Sequence, residues 1–299
     1  MLKVLVIGSK GFIGSYTYHY FKGRTDYTVY GCDIVNDYND PNYFQISSSN
    51  ADFSLLIRKT MPDWCINCAG ASSVPNSFLN PLRDFSLNVN NIQKILFSIK
   101  EDQPFCKLIQ LSSAAVYGDP QALPVVETSE LKPLSPYGIH KKQAEESCKT
   151  YYDHFGIGSF IVRIFSAYGA GLSKQLFWDL YQKLNAKDDV IKLFGTGNES
   201  RDFIHVSDIV QCFELIIKNA KVDFEIFNVA NGKQLKISAA AQIFKKLGGF
   251  NKEIVFLGDN RIGDPLNWEA DIQKITKLGY KSQTSLEEGL KDYISWLRD

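Results

Sequence analysis

Short apolar runs alternate along this chain with longer stretches of helical periodicity. The apolar runs predict strands buried on both faces at 3–7, 27–32, 64–68, 107–111, 159–164 and 225–229. The periodic stretches predict helices at 12–23, 52–60, 88–101, 136–155 and 206–219. This alternation is typical of an α/β fold with a doubly wound parallel sheet.

The rest of the chain has shorter elements, which predict a smaller, discontinuous C-terminal domain that binds the substrate. We assign 1–166 and 204–232 to the large domain, and 167–203 and 233–299 to the smaller one. The helix near 206–219 and the strand at 225–229 return the chain to the large sheet.

A glycine-rich turn follows the first predicted strand, with the sequence Gly8-Ser-Lys-Gly11-Phe-Ile-Gly14. Such a turn lets the backbone approach a pyrophosphate, and the next helix directs its N-terminal amides at the phosphates. The second strand leads to Asp33, about 20 residues further on, as in dinucleotide-binding (Rossmann) units. Asp33 can bind both ribose hydroxyls and repel a 2′-phosphate. No Arg or Lys follows at 34–36, so the pattern favours NAD over NADP, although an ordinary strand-to-helix turn is the alternative.

Tyr137 and Lys141 lie in the segment Ser-Pro-Tyr-Gly-Ile-His-Lys-Lys. Ser135 can cap a helix and Pro136 suits its first turn, so the tyrosine and the lysine share one helical face. A phenol has a pKa near ~10, and we expect the ammonium to lower it. The pair is then a candidate proton relay; a plain surface pair is the alternative.

The strand at 107–111 ends in two hydroxyl residues, Ser112 and Ser113. Ligands of open α/β sheets sit beyond the carboxyl ends of the strands. We therefore expect Ser113 to hydrogen-bond a substrate oxygen near Tyr137, although a serine turn that closes a strand would look the same.

Taken in order, these motifs resemble the extended short-chain dehydrogenase/reductase superfamily. The closest likeness is to its NAD-dependent nucleotide-sugar epimerases and dehydratases, of the UDP-hexose 4-epimerase type. The resemblance spans nearly the whole chain. It rests on the glycine turn, Asp33, Cys-Ala-Gly70, Ser-Ser-Ala-Ala-Val-Tyr-Gly118, Tyr137-x-x-x-Lys141, Arg163-Ile-Phe-Ser-Ala-Tyr-Gly169, Ser-Arg201-Asp-Phe-Ile-His-Val, Phe227-Asn-Val-Ala and Gly263-Asp264.

The resemblance implies a role for each matching residue. Cofactor binding falls to Gly8, Gly11, Phe12, Ile13, Gly14, Asp33, Gln45, Ile46, Cys68, Ala69, Gly70, Asn88 and Lys141. Catalysis falls to Ser113, Tyr137 and Lys141. Substrate binding falls to Ser166, Leu193, Phe194, Arg201, Arg261 and Asp264, with the two arginines on the diphosphate and Leu193 and Phe194 at the base.

Several positions depart from the family pattern. Gln45 replaces an acid beside the adenine, His140 stands where Ser or Thr is common, and Ser166 replaces an Asn that contacts the sugar nucleotide. Ala114 and Ala115 occupy positions where 4,6-dehydratases carry titrating groups. Because alanine cannot move a proton, the sequence disfavours a dehydratase.

The implied activity is NAD-dependent epimerisation of a nucleotide-diphosphate sugar, at C4 of a UDP-hexose, through a transient 4-keto intermediate. One alternative is an NAD(P)H-dependent reductase of a 4-keto sugar nucleotide. A second alternative is a catalytically idle NAD-binding sensor. The family also implies a homodimer, joined by a four-helix bundle of the helices at 88–101 and 136–155.

Composition removes several other classes of partner. The chain has 33 basic and 33 acidic residues among 299, so no field for nucleic acid is expected. No run is long and apolar enough to span a membrane, and no signal peptide precedes the first strand, which predicts a cytoplasmic protein. Four scattered histidines predict no metal site. Six cysteines are read as buried thiols, with redox use of Cys65-Ile-Asn-Cys68 as the minor alternative.

Overall fold

The computed structural model describes residues 1–48, 50–259 and 263–299. Its strands are β1 (Leu2–Ile7), β2 (Tyr27–Asp33), β3 (Tyr43–Gln45), β4 (Trp64–Asn67), β5 (Lys107–Ser113), β6 (Ser159–Ile164), β7 (Ser166–Tyr168), β8 (Val190–Leu193), β9 (Ser200–His205), β10 (Phe224–Val229), β11 (Gln234–Lys236) and β12 (Glu253–Phe256). Its helices are α1 (Phe12–Lys22), α2 (Phe53–Thr60), α3 (Val74–Leu79), α4 (Pro81–Phe85), α5 (Asn91–Asp102), α6 (Pro136–Phe155), α7 (Gln175–Asn185), α8 (Val206–Asn219), α9 (Ile237–Leu247), α10 (Gln273–Lys277) and α11 (Leu286–Arg298).

A seven-stranded sheet with the order β10-β6-β5-β4-β1-β2-β3 forms the centre of the molecule. Every neighbouring pair in it is parallel. The predicted doubly wound parallel sheet is therefore confirmed. The strand order reverses between β1 and β4. Ligands of such sheets bind in the crevice that this reversal leaves beyond the carboxyl ends of the strands.

The sheet is buried on both faces, as its continuous apolar strands predict. In β1, Val4 and Val6 belong to one apolar core, while Leu5 and Ile7 belong to another on the opposite face. All four are fully buried. This alternation with a period of two residues follows from strand geometry. The glycine turn begins directly after the last of these residues, Ile7.

Helix α6 has the bounds that its sequence predicts. The Ser135 hydroxyl accepts a hydrogen bond from the Gly138 amide at 3.2 Å, and Pro136 occupies the first turn. Gly156 ends the helix in a left-handed conformation, with φ of 70°. These local features orient the face that carries Tyr137 and Lys141.

The predicted helix at 88–101 is interrupted near its start. The structure has α4, then a π-helical turn over Ser86–Asn90, then α5. Across the start of this turn, the Asn88 amide donates to Asp84 Oδ1 at 3.1 Å. Such π-turns frequently occur at functional sites.

The remaining strands form two small sheets, β11-β9-β7 and β12-β8. A third apolar core lies among α7, α9 and α11 and includes Phe177, Phe244 and Tyr293. The division of the chain into two domains stays a prediction. Among the described residues, no helix is long and apolar enough to cross a membrane, and no group of His, Cys, Asp and Glu could hold a metal ion.

Candidate active site

The glycine turn between β1 and α1 is closed by main-chain contacts. A Cβ atom on Gly14 would lie 1.9 Å from the Gly8 carbonyl oxygen, and one on Gly8 would lie 2.7 Å from the Ala69 nitrogen. Gly8 also has φ of 80°, which favours glycine. No side chain caps α1, whose N-cap is Gly11. The amide end of α1 is thus built to receive an anion.

Asp33 ends β2 beside the glycine turn. Its carboxylate accepts hydrogen bonds from the Lys10 amide at 2.9 Å and the Ile34 amide at 2.7 Å. The Ile46 amide donates to the Asp33 carbonyl at 2.9 Å, and Gln45 Nε2 donates to the Ile34 carbonyl at 3.3 Å. The structure therefore brings Asp33, Gln45 and Ile46 together at one edge of the crevice.

The segment after β4 lies near both the glycine turn and α6, the helix that carries Tyr137 and Lys141. The Cys68 amide donates to the Ile7 carbonyl at 2.9 Å. A Cβ on Gly70 would lie 2.6 Å from Asn88 Oδ1 and 3.5 Å from Lys141 Nζ. Gly70, Asn88 and Lys141 thus meet at one point in the crevice.

The cysteines have the character of buried thiols. All six are free, and five are buried. Burial raises the pKa of the Cys68 thiol to about 12, so this thiol is protonated and unreactive at neutral pH. Redox use of Cys65 and Cys68 therefore has no support in the structure.

Ser113, Tyr137 and Lys141 meet at the carboxyl end of β5. The Ser113 hydroxyl accepts from the Ala115 amide at 3.2 Å and is hydrogen-bonded to the Tyr137 phenol. Lys141 Nζ donates to the Leu111 carbonyl at 3.1 Å and lies 5.8 Å from the centre of the Tyr137 ring. A hydroxyl, a phenol and an ammonium therefore converge, as the sequence predicts.

The expected lowering of the Tyr137 pKa is wrong for this arrangement. Burial raises the pKa of the phenol to about 12, the Ser113 hydrogen bond opposes this, and the charge of Asp84 adds to it. Burial lowers the pKa of Lys141 to about 8, while the charges of Asp84 and Glu145 oppose that shift. For both groups, desolvation outweighs the hydrogen bonds and charges that oppose it.

Arg201 lies on β9 and contacts the segment that contains Leu266 and Trp268. Its Nη1 donates to the Ser200 carbonyl at 2.8 Å and the Leu266 carbonyl at 3.2 Å. Its guanidinium lies 5.4 Å from the centre of the Trp268 ring. Trp268 Nε1 in turn donates to the Gly118 carbonyl at 3.1 Å. This chain of contacts connects Arg201 to the residues that follow Ser113.

Among the described residues, Arg201 forms no salt bridge with the nearby acids Asp202 and Asp208, whose carboxylates are used elsewhere. The Asp202 carboxylate accepts from the amides of Asn231, Gly232 and Ala270. Asp208 accepts from Ser282, Gln283 and Thr284. Burial lowers the pKa of Arg201, and the charge of Asp264 opposes this shift.

The other predicted substrate residues lie on neighbouring elements. Ser166 begins β7 and pairs with Phe203 of β9. Leu193 is buried at the end of β8, and Phe194 follows it half exposed. A Cβ on Gly263, just before Asp264, would lie 3.3 Å from Ser135 Cβ at the start of α6. Arg261 lies outside the described residues.

Two polar residues near the site were not singled out by sequence. Asp84 accepts from His140 Nδ1 at 2.6 Å and is 3 % exposed. Its position four residues before Asn88 is the feature that could have revealed it. Lys174 Nζ donates to Ser72 Oγ at 2.5 Å across the crevice, and no sequence pattern indicates this contact.

Comparison with known proteins places the chain in a family. The model of the NAD dependent epimerase/dehydratase family matches residues 4–230. The chain belongs to this family. The family resemblance read from the motifs is confirmed, and so is NAD as the cofactor.

Members of the family are similar to this chain over its whole length. A protein of Methanocaldococcus jannaschii named putative UDP-glucose 4-epimerase is 31 % identical, over 99 % of this chain and 98 % of its own. The UDP-glucuronate 4-epimerase of Thermodesulfobacterium geofontis is 28 % identical, over 99 % and 96 %. The Bacillus cereus UDP-glucuronic acid 4-epimerase, solved with UDP-glucuronic acid and NAD, has a TM-score of 0.90 at 26 % identity, over 99 % of both chains.

The residues of this chain fit the cofactor of the family. The glycine turn offers main chain at the helix end, and Asp33 offers a carboxylate for ribose hydroxyls. Among the described residues, Asn88 Oδ1 is buried without a hydrogen-bond partner, and it lies beside Gly70. A polar ligand there would satisfy this oxygen.

Proposed function

We propose that this protein is an NAD-dependent epimerase that inverts C4 of a UDP-hexose. The convergence of Ser113, Tyr137 and Lys141 beside Gly70 is the observation that carries the proposal. It sets a proton-transferring phenol near Gly70 and Asn88, in a crevice whose other residues suit a dinucleotide. NAD bound there would accept a hydride from the sugar carbon and later return it.

The three side chains have separate parts in the reaction. Tyr137, as the phenolate that the positive charge of bound NAD would favour, takes the proton of the C4 hydroxyl as the hydride leaves the same carbon, and gives it back after the keto sugar has rotated in the crevice. Ser113, already hydrogen-bonded to the phenol, holds the reacting oxygen. Lys141 supplies a positive charge near the developing oxyanion.

The neighbouring residues argue against elimination of water. Ala114 and Ala115 form the turn directly after Ser113, where a dehydratase would need an acid and a base. Neither side chain can transfer a proton. The relatives of this chain at 31 % and 28 % identity are named 4-epimerases, and this favours epimerisation over the reductase alternative.

The substrate set is proposed on contacts and on likeness to these relatives. Arg201 and Arg261 would bind the diphosphate, and Ser166, Leu193, Phe194 and Asp264 would surround the rest of the sugar nucleotide. The homodimer, through a bundle of α5 and α6, is likewise a proposal. We also propose a cytoplasmic location, because six free thiols suit a reducing compartment.

Substitution of the phenol tests the mechanism. Tyr137→Phe should lower turnover of UDP-glucose, UDP-galactose or their uronic acids by roughly two to four orders of magnitude, because the acid–base group is lost. UDP binding, measured by calorimetry, should persist. Tyr152→Phe, on the same helix, is the matched control and should retain wild-type turnover.

Product analysis separates the alternatives. NMR of the reaction should show an isomer of the substrate, with no lasting change in the absorbance of reduced cofactor. Stoichiometric consumption of NADH would indicate a reductase. A product lighter by one water would contradict the epimerase.

A further inference from the structure

A buried acid, Asp84, and a buried imidazole, His140, lie next to the proposed catalytic residues Tyr137 and Lys141. His140 Nδ1 and Asp84 Oδ1 are 2.6 Å apart. Both residues are at least nine-tenths buried. Neither residue is a catalytic group in the mechanism above, and His140 precedes Lys141 in the chain.

The same acid orients Asn88. Asp84 Oδ1 accepts a hydrogen bond from the Asn88 amide nitrogen at 3.1 Å, which fixes the rotamer of the amide and therefore the position of its oxygen. That oxygen lies beside Gly70 and on the Lys141 side of the crevice. A change at Asp84 would release Asn88 to rotate.

The charge of Asp84 also acts on the proton-transferring groups. It raises the pKa of Tyr137 and the pKa of Lys141. Ser113 faces the phenol as well, and Glu145 and Cys68 face the ammonium. Glu145 is already engaged by Arg163 Nη2 at 2.6 Å and by Ser112 Oγ at 2.5 Å. Of the two acids near Lys141, Asp84 is therefore the one without an arginine partner among the described residues.

We propose that Asp84, held in place by His140, is a positioning residue that aims the Asn88 oxygen at the crevice beside Lys141 and keeps a negative charge near Tyr137 and Lys141. Asp84 acts through these side chains and has no part of its own in the proton transfer. This inference rests on the proposed function for its kinetic test, but not for its spectroscopic one.

Asp84→Asn is the main variant, because it removes the charge and keeps an acceptor oxygen for His140 and Asn88. Without the negative charge, both the phenol and the ammonium lose protons more readily. Both limbs of the pH–rate profile should therefore move to lower pH, by roughly half a pH unit or more. Asp153→Asn, which removes an exposed charge at the far end of α6, is the matched control and should leave both limbs in place.

A second measurement needs no substrate. NMR of protein with isotope-labelled tyrosine follows ionisation of Tyr137, whose signal is assigned by its loss in Tyr137→Phe. Asp84→Asn should shift this titration to lower pH, and Asp153→Asn should not. If no sugar nucleotide is turned over, the proposed function fails while this result still decides the role of Asp84.

His140 is tested by a conservative pair of variants. His140→Gln keeps a donor for Asp84 and should retain turnover within about threefold, whereas His140→Leu removes the donor and should lose about tenfold or more. Equal loss in both variants would overturn the positioning role of His140. An unchanged Tyr137 titration in folded Asp84→Asn would overturn the proposal for Asp84, and so would a rate loss without any shift of the profile.

Discussion

A Cβ atom at position 138 would lie 2.6 Å from the carbonyl oxygen of Ala115, so Gly138 allows α6 to start against the turn that follows β5. Ser113 lies two residues before Ala115, and Tyr137 lies directly before Gly138. Their hydrogen bond thus depends on a main-chain approach that a side chain would block. The position of the phenol is set by packing as well as by the helix.

Gly138→Ala should therefore impair both folding and turnover. The new methyl group would also meet Pro133 Cβ at 2.8 Å, so the start of α6 must shift. We expect the free energy of unfolding to fall by about 1–3 kcal/mol and turnover to fall about tenfold or more, because Tyr137 moves from Ser113. Denaturant titration and steady-state rates measure the two effects. Gly23→Ala, where the nearest atom would be at 3.5 Å, is the control; equal losses in both variants would refute the packing argument.

Lys141 should cost stability at neutral pH, because it is buried with a pKa lowered to about 8. Its unfolded pKa is ~10.4, so between these values the unfolded chain binds more protons than the folded one. The stability of the folded state relative to a variant without this lysine must then rise with pH across that window.

Lys141→Met tests this sign. The variant should be inactive, yet more stable than the wild type at pH 7. Between about pH 8 and pH 10, the unfolding free energy of the wild type should rise relative to that of the variant by about 2 kcal/mol. Denaturant titrations across this range check it, with the exposed Lys149→Met as control. A difference that does not depend on pH would contradict the buried charge.

Asp33→Ala should weaken preference for NAD over NADP. The variant loses an acceptor for ribose hydroxyls and a charge that repels a 2′-phosphate. We therefore expect about tenfold weaker NAD binding and a smaller difference between the affinities for NAD and NADP. Calorimetry with both dinucleotides measures this. Asp26→Ala, an exposed acid just before β2, should leave the gap unchanged. Tighter NADP than NAD binding by the wild type would refute the role of Asp33.

Arg201→Met should weaken UDP binding about ten- to a hundredfold, because a charge-assisted contact to the diphosphate is lost. NAD affinity should stay close to that of the wild type, and the melting temperature should fall by a few degrees at most, because the hydrogen bonds to the Ser200 and Leu266 carbonyls are lost. Calorimetry and thermal unfolding check this, with Arg58→Met on α2 as control. Unchanged UDP affinity would show that Arg201 only supports the Leu266 segment.

Much of the sheet and of the catalytic helix could be predicted from local patterns. An apolar run marks the strand Tyr27–Asp33 in the sequence. The start of the helix Pro136–Phe155 is marked by Ser135 and Pro136, and its end by Gly156. Strand β3 has three residues, too few for any period to be recognised, and its pairing with β2 depends on the rest of the sheet.

The parts of the site that were missed depend on contacts between distant segments. The π-helical turn at Ser86–Asn90 continues the apolar pattern of a plain helix, so the sequence does not distinguish the two. The Asp84–His140 contact joins residues 56 positions apart. The raised pKa of Tyr137 depends on burial, which one helical face cannot reveal.

The contacts of Gly8 and Gly14 limit how this protein could be redesigned. The atoms that a substituent would strike belong to main chain, and no change of rotamer can move them aside. Directed evolution toward a different dinucleotide must therefore search Lys10 and residues 33–37, where side chains border the proposed cofactor site. A saturation library should return these two glycines unchanged from every active clone, next to positions that accept many alternatives.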